Sequence, residues 1–304
     1  MSKDIKIGLI GLDSSHCVEY ATLLHQAAHS HHVPGGRIVA AFPGGSPDWE
    51  LSASRVDGFT QRIGEEFGIP LEDSIEAVVD RSDALMILSV DGRVHRDQFE
   101  IVARSGKPTY IDKPLAVSVA DSRRIEAIAV EHGTPFFSAS VWRYSRGLQE
   151  ALATLEEPCR QISLQGPWPL HEGRHGWFFY GIHQVEMVYA AMGTGCRRVA
   201  CARDGASEIL TGFWPDGRMA SVGACHDKER PFAGHLLGAK REALLTVLDD
   251  KYDRYGAFLR SALEFFKGGT APVPTMETIE TIAFLEAAAI SAENGGILID
   301  LPTD

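Results

Sequence analysis

The strongest constraint on the fold is the alternation of short apolar segments with helical segments in the N-terminal part of the chain. The apolar run 5–10 stops at Gly11, and residues 15–28 then place apolar side chains at helical spacing. Short apolar runs that are followed by helical patterns recur at 37–42, 84–90 and 109–111, and a last run lies at 136–141. This alternation predicts a parallel sheet covered on both faces, with ligands binding beyond the carboxyl ends of its strands.

The pattern changes after about residue 141. Segments 160–165 and 208–222 alternate apolar and polar residues over longer stretches, and Pro215-Asp216-Gly217 between two such stretches predicts a hairpin. The predicted fold class is therefore α/β, in two domains. Residues 1–141 would form a Rossmann domain with a doubly wound parallel sheet. Residues 142–304 would form an α+β domain with a large, mostly antiparallel open sheet, whose C-terminal helix can pack back at the domain junction.

Composition narrows the classes of partner and compartment. The chain has 29 Lys and Arg against 41 Asp and Glu, a net charge of −12, which disfavours binding to nucleic acid or anionic lipid. No apolar run approaches the roughly 20 residues of a membrane span, and the N-terminus does not resemble a signal peptide. The five scattered cysteines also fit a cytoplasmic protein. Cys17 falls in the first turn of a helix, where the macrodipole is expected to lower a thiol pKa.

The loop after the first strand is where a dinucleotide pyrophosphate would bind, because free N–H groups and the helix dipole favour an anion there. Residues 11–16 read GLDSSH against the fingerprint G-x-G-x-x-G, so only the first glycine is present. A carboxylate at the second glycine position would cost on the order of 1–4 kcal/mol against a phosphate. The loop either binds a dinucleotide or only caps a helix. Its candidate cofactor-binding residues are Gly11, Asp13, Ser14, Ser15 and His16.

The second strand does not identify the cofactor. It ends at Phe42-Pro43, without the acidic residue that usually binds the ribose. Asp48 could substitute from the following loop, while the neutral segment 43–46 would tolerate a 2′-phosphate. NAD and NADP therefore both stay open.

The segment YIDKPLA at residues 110–116 resembles the Gfo/Idh/MocA oxidoreductase family, whose signature at this point is Glu-Lys-Pro. Segments 11–16, 89–95, 142–145, 181–183 and 287–301 are similar in the same order, so the resemblance covers essentially the whole chain. It implies an NAD(P)-dependent oxidoreductase that acts on a hydroxyl of a sugar, cyclitol or related polyol. It also implies pairing through the open sheet into a homodimer or homotetramer.

Lys113 is the first candidate catalytic residue. A lysine at the carboxyl end of a parallel strand faces the cofactor crevice, and neighbouring positive charge would push its pKa toward neutrality. In the family this lysine contacts the nicotinamide ribose and the substrate hydroxyl, while the following proline fixes the backbone. The further cofactor-binding residues that the resemblance implies are Ser89, His95, Asp112, which replaces the family glutamate, and Pro114. His95 could instead only anchor its loop.

His183 is the second candidate catalytic residue. It matches the family motif Asp-x-Gly-x-His at the glycine and the histidine, which implies proton transfer to or from the substrate oxygen. Phe179 replaces the motif's aspartate, so we expect a less basic imidazole, with Tyr180 as a substitute hydrogen-bond partner. Tyr180 and Arg143 are the candidate substrate-binding residues, although Arg143 could instead bridge the domains.

The sequence also bears on a metal site and on two other functions. The residues His171, Glu172, His175 and His183 do not have the spacing His-Glu-x-x-His, so we predict no metal. The altered residues Asp13, His16 and Phe179 leave open a lyase, hydratase or isomerase that uses Lys113 and His183 for acid/base chemistry. They also leave open a ligand-binding protein that kept the fold without turnover.

Overall fold

The computed structural model describes residues 4–167, 177–204, 207–225, 230–247 and 251–302. In chain order, the first elements are β1 (Ile5–Ile10), α1 (His16–His25), β2 (Gly36–Phe42), α2 (Glu50–Glu65), α3 (Ile75–Arg81), β3 (Ala84–Ile87), α4 (His95–Ala103), β4 (Thr109–Ile111), α5 (Val119–His132) and β5 (Phe136–Ser138). After a 3₁₀ turn (Val141–Tyr144) follow α6 (Arg146–Leu155), β6 (Gln161–Pro167), a π-helical turn (Trp177–Gly181) and α7 (Ile182–Met192). The remaining elements are β7 (Arg198–Asp204), β8 (Ser207–Phe213), β9 (Met219–Cys225), β10 (Ala233–Leu237), β11 (Glu242–Thr246), α8 (Lys251–Phe266), α9 (Thr275–Glu293) and β12 (Ile299–Asp300).

The chain divides into two compact units. Unit 1 comprises Met1–Ala116, Ala120–Ala139 and Tyr255–Thr275, and unit 2 comprises Val117–Val119, Ser140–Arg254 and Met276–Asp304. Unit 1 therefore takes in most of α8, although this helix follows β6 to β11 of unit 2 in the sequence.

Unit 1 contains a five-stranded parallel sheet in the order β2-β1-β3-β4-β5. Helices cover both faces. A Cβ placed on Gly36 would meet Leu24 of α1 and Leu263 of α8, whereas one placed on Gly8 would meet Val78 of α3 on the other face. The predicted parallel sheet with two covered faces is confirmed, and the loops that follow β1, β3 and β4 lie at its carboxyl edge.

Unit 2 contains a seven-stranded sheet in the order β11-β10-β6-β9-β8-β7-β12. All its pairings are antiparallel except β6 with β9. The predicted mostly antiparallel sheet is confirmed, as is the hairpin between β8 and β9. In that hairpin Gly217 adopts a φ of 86°, which favours glycine.

Two local expectations differ from the structure. The strand expected over 136–141 ends at Ser138, because the chain turns into the 3₁₀ segment, where Ser140 Oγ accepts a hydrogen bond from the Trp142 N–H. The expected lowering of the Cys17 pKa is wrong. This thiol is completely buried and donates to Ser14 O at 2.9 Å, and burial raises its pKa to about 12, outweighing the helix dipole.

Candidate active site

Gly11 leaves β1 with a φ of 89°, a conformation that residues with a side chain rarely adopt. A Cβ at this position would lie 2.3 Å from Ser89 Oγ and 2.4 Å from the Ser89 N atom. The loops after β1 and β3 thus approach each other so closely at the carboxyl edge of the sheet that only glycine fits. This explains why the first glycine of the fingerprint is kept although the other two are not.

Asp13 takes the second glycine position, and its carboxylate is fully buried. Its Oδ1 accepts from the Val90 N–H at 2.9 Å and its Oδ2 from the Ser52 hydroxyl at 2.6 Å. Burial raises the pKa of Asp13, although the hydrogen bonds from Ser52 and Val90 partly oppose this. Both carboxylate oxygens therefore accept hydrogen bonds from the protein. These bonds reduce the electrostatic repulsion between Asp13 and a bound phosphate.

The start of α1 keeps features that suit an anion. Ser15 is exposed, and its side chain makes no capping hydrogen bond to the helix. Ser14 Oγ accepts from the His16 N–H at 3.3 Å. Because the Asp13 carboxylate accepts hydrogen bonds from Ser52 and Val90, this helix terminus suits a dinucleotide pyrophosphate better than the altered fingerprint suggests.

Lys113 directly follows Asp112 after the end of β4, and both side chains are buried, at 7% and 2% exposure. Burial lowers the pKa of Lys113 and Arg55 adds to this, while Asp112 opposes it. Burial alone would raise the pKa of Asp112, but His16, Lys113 and Tyr110 together hold it below its ordinary value. A buried amine with a lowered pKa is suited to give up and take back a proton.

His95 lies between the loop after β3 and the Lys113 segment. Its Nε2 is 2.8 Å from Ser89 O, its Nδ1 is 2.8 Å from Pro114 O, and the ring is fully buried. The Lys113–Pro114 peptide bond that it abuts is cis. Ser89 Oγ in turn contacts the Gln98 amide. These contacts are those of an anchor that joins the loop after β3 to the backbone that follows Lys113.

Asp48, the candidate ribose partner, forms an ion pair with Arg93 of the loop after β3. Arg93 binds Asp48 with two nitrogens, at 2.9 and 3.1 Å, and also binds Asp91. This arginine was not singled out in the sequence, because its two carboxylates come from different loops.

In unit 2, His183 lies in the first turn of α7, directly after the π-helical turn. Its Nδ1 is 2.7 Å from Ser140 Oγ, and the imidazole is buried. Ser140 thus provides a partner for the ring nitrogen where the family motif would supply aspartate. The Tyr180 ring meets the imidazole edge-on, with centroids 5.1 Å apart.

Aromatic rings surround His183. Phe232 stacks with Tyr180 at 6.2 Å, and Trp142 meets Phe232 edge-on at 4.5 Å. The Arg254 guanidinium lies 4.0 Å from the centre of the Trp142 ring. Two members of this cluster could have been found from the sequence, because Trp142 lies in a segment that resembles the family and Tyr180 lies next to one. The sequence contains no such signal for Phe232.

Arg143 is almost buried and binds two carboxylates of unit 2. It donates to Glu186 at 2.9 Å and also to Glu277. Burial lowers the Arg143 pKa, but the two glutamates outweigh this and raise it. Arg143 thereby joins the 3₁₀ turn to α7 and α9, so its guanidinium is committed to a structural network within unit 2.

Of the four His and Glu residues compared with the spacing of a metal site, only His183 is described. His171, Glu172 and His175 lie outside the described residues. Within the ranges that the structure covers, no group of three or more His, Cys, Asp or Glu side chains is arranged to hold a metal ion. Nor does any helix in those ranges combine the length and hydropathy that crossing a bilayer requires.

Comparison with known proteins agrees with this architecture. Residues 6–140 match the family model described as "Oxidoreductase family, NAD-binding Rossmann fold". An uncharacterized oxidoreductase of Streptococcus pneumoniae is 23% identical over 153 residues, and a 2,7-anhydro-N-acetylneuraminate hydratase of Mediterraneibacter gnavus is 22% identical over 153 residues. Both alignments cover 44% of this chain. They span only 41% and 40% of the two relatives' own lengths.

A solved structure gives a match over the full length. The myo-inositol dehydrogenase of Lactobacillus casei, in complex with NAD(H) and myo-inositol, superposes with a TM-score of 0.79 at 13% identity. That alignment covers 99% of this chain and 98% of the other, and at this identity it shows a shared fold. Residues 6–140 therefore match the Gfo/Idh/MocA oxidoreductase family, and the chain as a whole shares the fold of that dehydrogenase.

Proposed function

We propose that the protein is an NAD- or NADP-dependent dehydrogenase that oxidises a hydroxyl group of a sugar, cyclitol or related polyol. The observation that carries the proposal is the buried Lys113 with a lowered pKa, directly after β4 at the carboxyl edge of a Gfo/Idh/MocA Rossmann sheet. A bound nicotinamide would accept the hydride from the carbon that carries the hydroxyl. Gly11, Ser14 and Ser15 would hold the diphosphate of the cofactor.

The protein's part in the reaction is to bind, orient and move one proton. Oxidation of an alcohol releases the hydroxyl proton together with the hydride, so a base must take that proton. We assign this task to Lys113 and His183. A lowered lysine pKa supports the first assignment, and the Ser140 contact, which fixes the orientation of the imidazole, supports the second.

The aromatic cluster of unit 2 supports a polyol as the substrate. Tyr180, Trp142 and Phe232 combine flat apolar faces with His183, a group that can bond to a hydroxyl. Sugars and cyclitols present both apolar C–H faces and hydroxyl groups, which suits such a surface.

The test is titration of NAD and NADP by calorimetry, followed by assays of a cyclitol and sugar panel for absorbance of the reduced nicotinamide. Lys113→Ala and His183→Ala are each expected to lower kcat by about 100-fold or more, because each removes a proton-transfer group. Exposed residues supply matched controls, Lys267→Ala and His132→Ala, which should retain activity. Absence of nucleotide binding together with absence of turnover on every polyol would refute the proposal.

A second candidate is a non-redox lyase, hydratase or isomerase on a sugar-like substrate. It is favoured by the altered residues Asp13, His16 and Phe179, and by the hydratase among the relatives. Protein freed of nucleotide distinguishes the two candidates. Conversion of substrate that needs Lys113 but no nucleotide would favour the second, whereas binding of a polyol without any turnover would indicate a ligand-binding protein.

A further inference from the structure

Two departures from the family motifs meet in space. His16 stands where the fingerprint has its third glycine, and Asp112 stands where the family has glutamate. Although the two residues are 96 positions apart in the chain, His16 Nδ1 lies 2.5 Å from Asp112 Oδ2. Both are buried, His16 at 7% and Asp112 at 2% exposure. A glycine at position 16 could not make this contact, because it has no side chain.

The Asp112 carboxylate is shared by several donors. Its Oδ1 accepts from the Lys113 N–H at 2.8 Å and from the Tyr110 hydroxyl at 2.8 Å. Its Oδ2 accepts from His16, whose Nδ1 carries the proton because an ionised carboxylate can only accept. The same carboxylate attracts the Lys113 ammonium. His16 and Lys113 therefore draw on one negative charge.

We propose that His16 is a positioning residue that acts through Asp112 to set how readily Lys113 releases its proton. By donating to Asp112, His16 lowers the negative charge that this carboxylate presents to the Lys113 ammonium. The buried amine is then held less firmly in its charged form. The proposal assigns a role to His16, the residue at the third glycine position of the fingerprint. It rests on the proposed role of Lys113.

Two tyrosine rings and a further cation lie in the surroundings of the pair. The His16 ring packs against the rings of Tyr20 and Tyr255, at centroid distances of 5.6 and 5.5 Å. Arg55 is the further cation that acts on Lys113, and it disfavours the ammonium. The titratable and charged groups to be considered together are therefore Tyr20, Tyr110, Tyr255, Asp112, Lys113 and Arg55.

The test follows the titration of Lys113 by NMR of isotope-labelled lysine in the full chain, without nucleotide and without turnover. The Lys113 signal is assigned from its loss in Lys113→Arg. His16→Phe keeps a ring beside Tyr20 and Tyr255 but removes the donor to Asp112, so the midpoint of the Lys113 titration should rise, by on the order of one pH unit. In Asp112→Asn the attraction is removed, so the midpoint should fall. The exposed control His132→Phe should leave it unchanged.

Opposite shifts in the two variants are not expected from a merely structural contact, since loosened packing would move the midpoint in the same direction in both. An unchanged midpoint in folded His16→Phe, or a rise in Asp112→Asn, overturns the proposal. If His16→Phe does not fold, the paired change His16→Gly with Asp112→Glu, which introduces both family residues, serves instead and should also raise the midpoint. Shifts found in a protein without dehydrogenase activity would leave this inference intact and refute only the proposed function.

Discussion

At the scale of single residues, the positions of the glycine fingerprint differ in their structural roles. Gly11 is required by the backbone, since its φ is 89° and Ser89 leaves no room for a Cβ. Asp13 is tolerated because Ser52 and Val90 donate to both of its oxygens. The missing second glycine therefore does not by itself abolish an anion site at the start of α1.

Gly11→Ala is expected to destabilise unit 1 by about 1–3 kcal/mol from backbone strain, with a further cost from the clash with Ser89. Gly133→Ala is the matched control. Gly133 also has a positive φ, of 63°, but no heavy atom lies within 4 Å of the added Cβ. Urea unfolding of both variants measures the difference, and equal losses of stability would show that the contact with Ser89 carries no cost.

At the scale of elements, α8 completes the core of unit 1. The Phe258 ring packs against Tyr20 and Tyr110, with centroids 5.3 and 4.7 Å apart, and is fully buried. The helix thereby covers the sheet face that α1 covers only in part, and it closes the aromatic cluster below the Asp112 network.

Phe258→Ala should lower the stability of unit 1 by about 3–5 kcal/mol, because it leaves a cavity among aromatic side chains. Val130→Ala removes a side chain that is 79% exposed on α5 and should change stability by less than about 0.5 kcal/mol. Denaturant unfolding monitored by hydrogen exchange in β1 and β4 reports on unit 1 separately. A loss below 1 kcal/mol for Phe258→Ala would mean that α8 adds little to this core.

At the scale of the whole molecule, one face of the seven-stranded sheet carries few charges. A row of paired residues crosses this face over five strands, and no member of it is Asp, Glu, Lys or Arg. The row consists of Leu244, His235, Ser163, Ser221 and Thr211. Leu244 is 81% exposed, and Ile209 on the same face is 51% exposed. Such a face suits pairing with a second copy of the chain, the homo-oligomer that the family resemblance implies.

Ser221→Arg places a charge on the central strand of that face and should raise the dissociation constant of the oligomer by at least about tenfold, since burial of an unpaired charge is costly. Ala127→Arg, on an exposed position of α5, is the control. Sedimentation over a range of protein concentrations measures both variants. A wild-type protein that stays monomeric at all concentrations, or an oligomer that Ser221→Arg leaves intact, would contradict pairing through this face.

The sequence by itself determined the parts of this protein that depend on local patterns. The period of apolar residues fixed the alternation of strands and helices and hence the parallel sheet, because that periodicity is a property of neighbouring residues. It also placed Lys113 at the carboxyl end of a strand. The change of pattern after residue 141 indicated the second sheet.

Only the tertiary structure decided the contacts between distant segments. Sequence spacing could not pair His16 with Asp112, Asp13 with Ser52 or His183 with Ser140, because each pair is brought together by the packing of separate elements. For the same reason it could not assign most of α8 to unit 1 or commit Arg143 to two glutamates. Hydrogen bonds and burial at these positions depend on which elements pack together, and a local pattern does not carry that information.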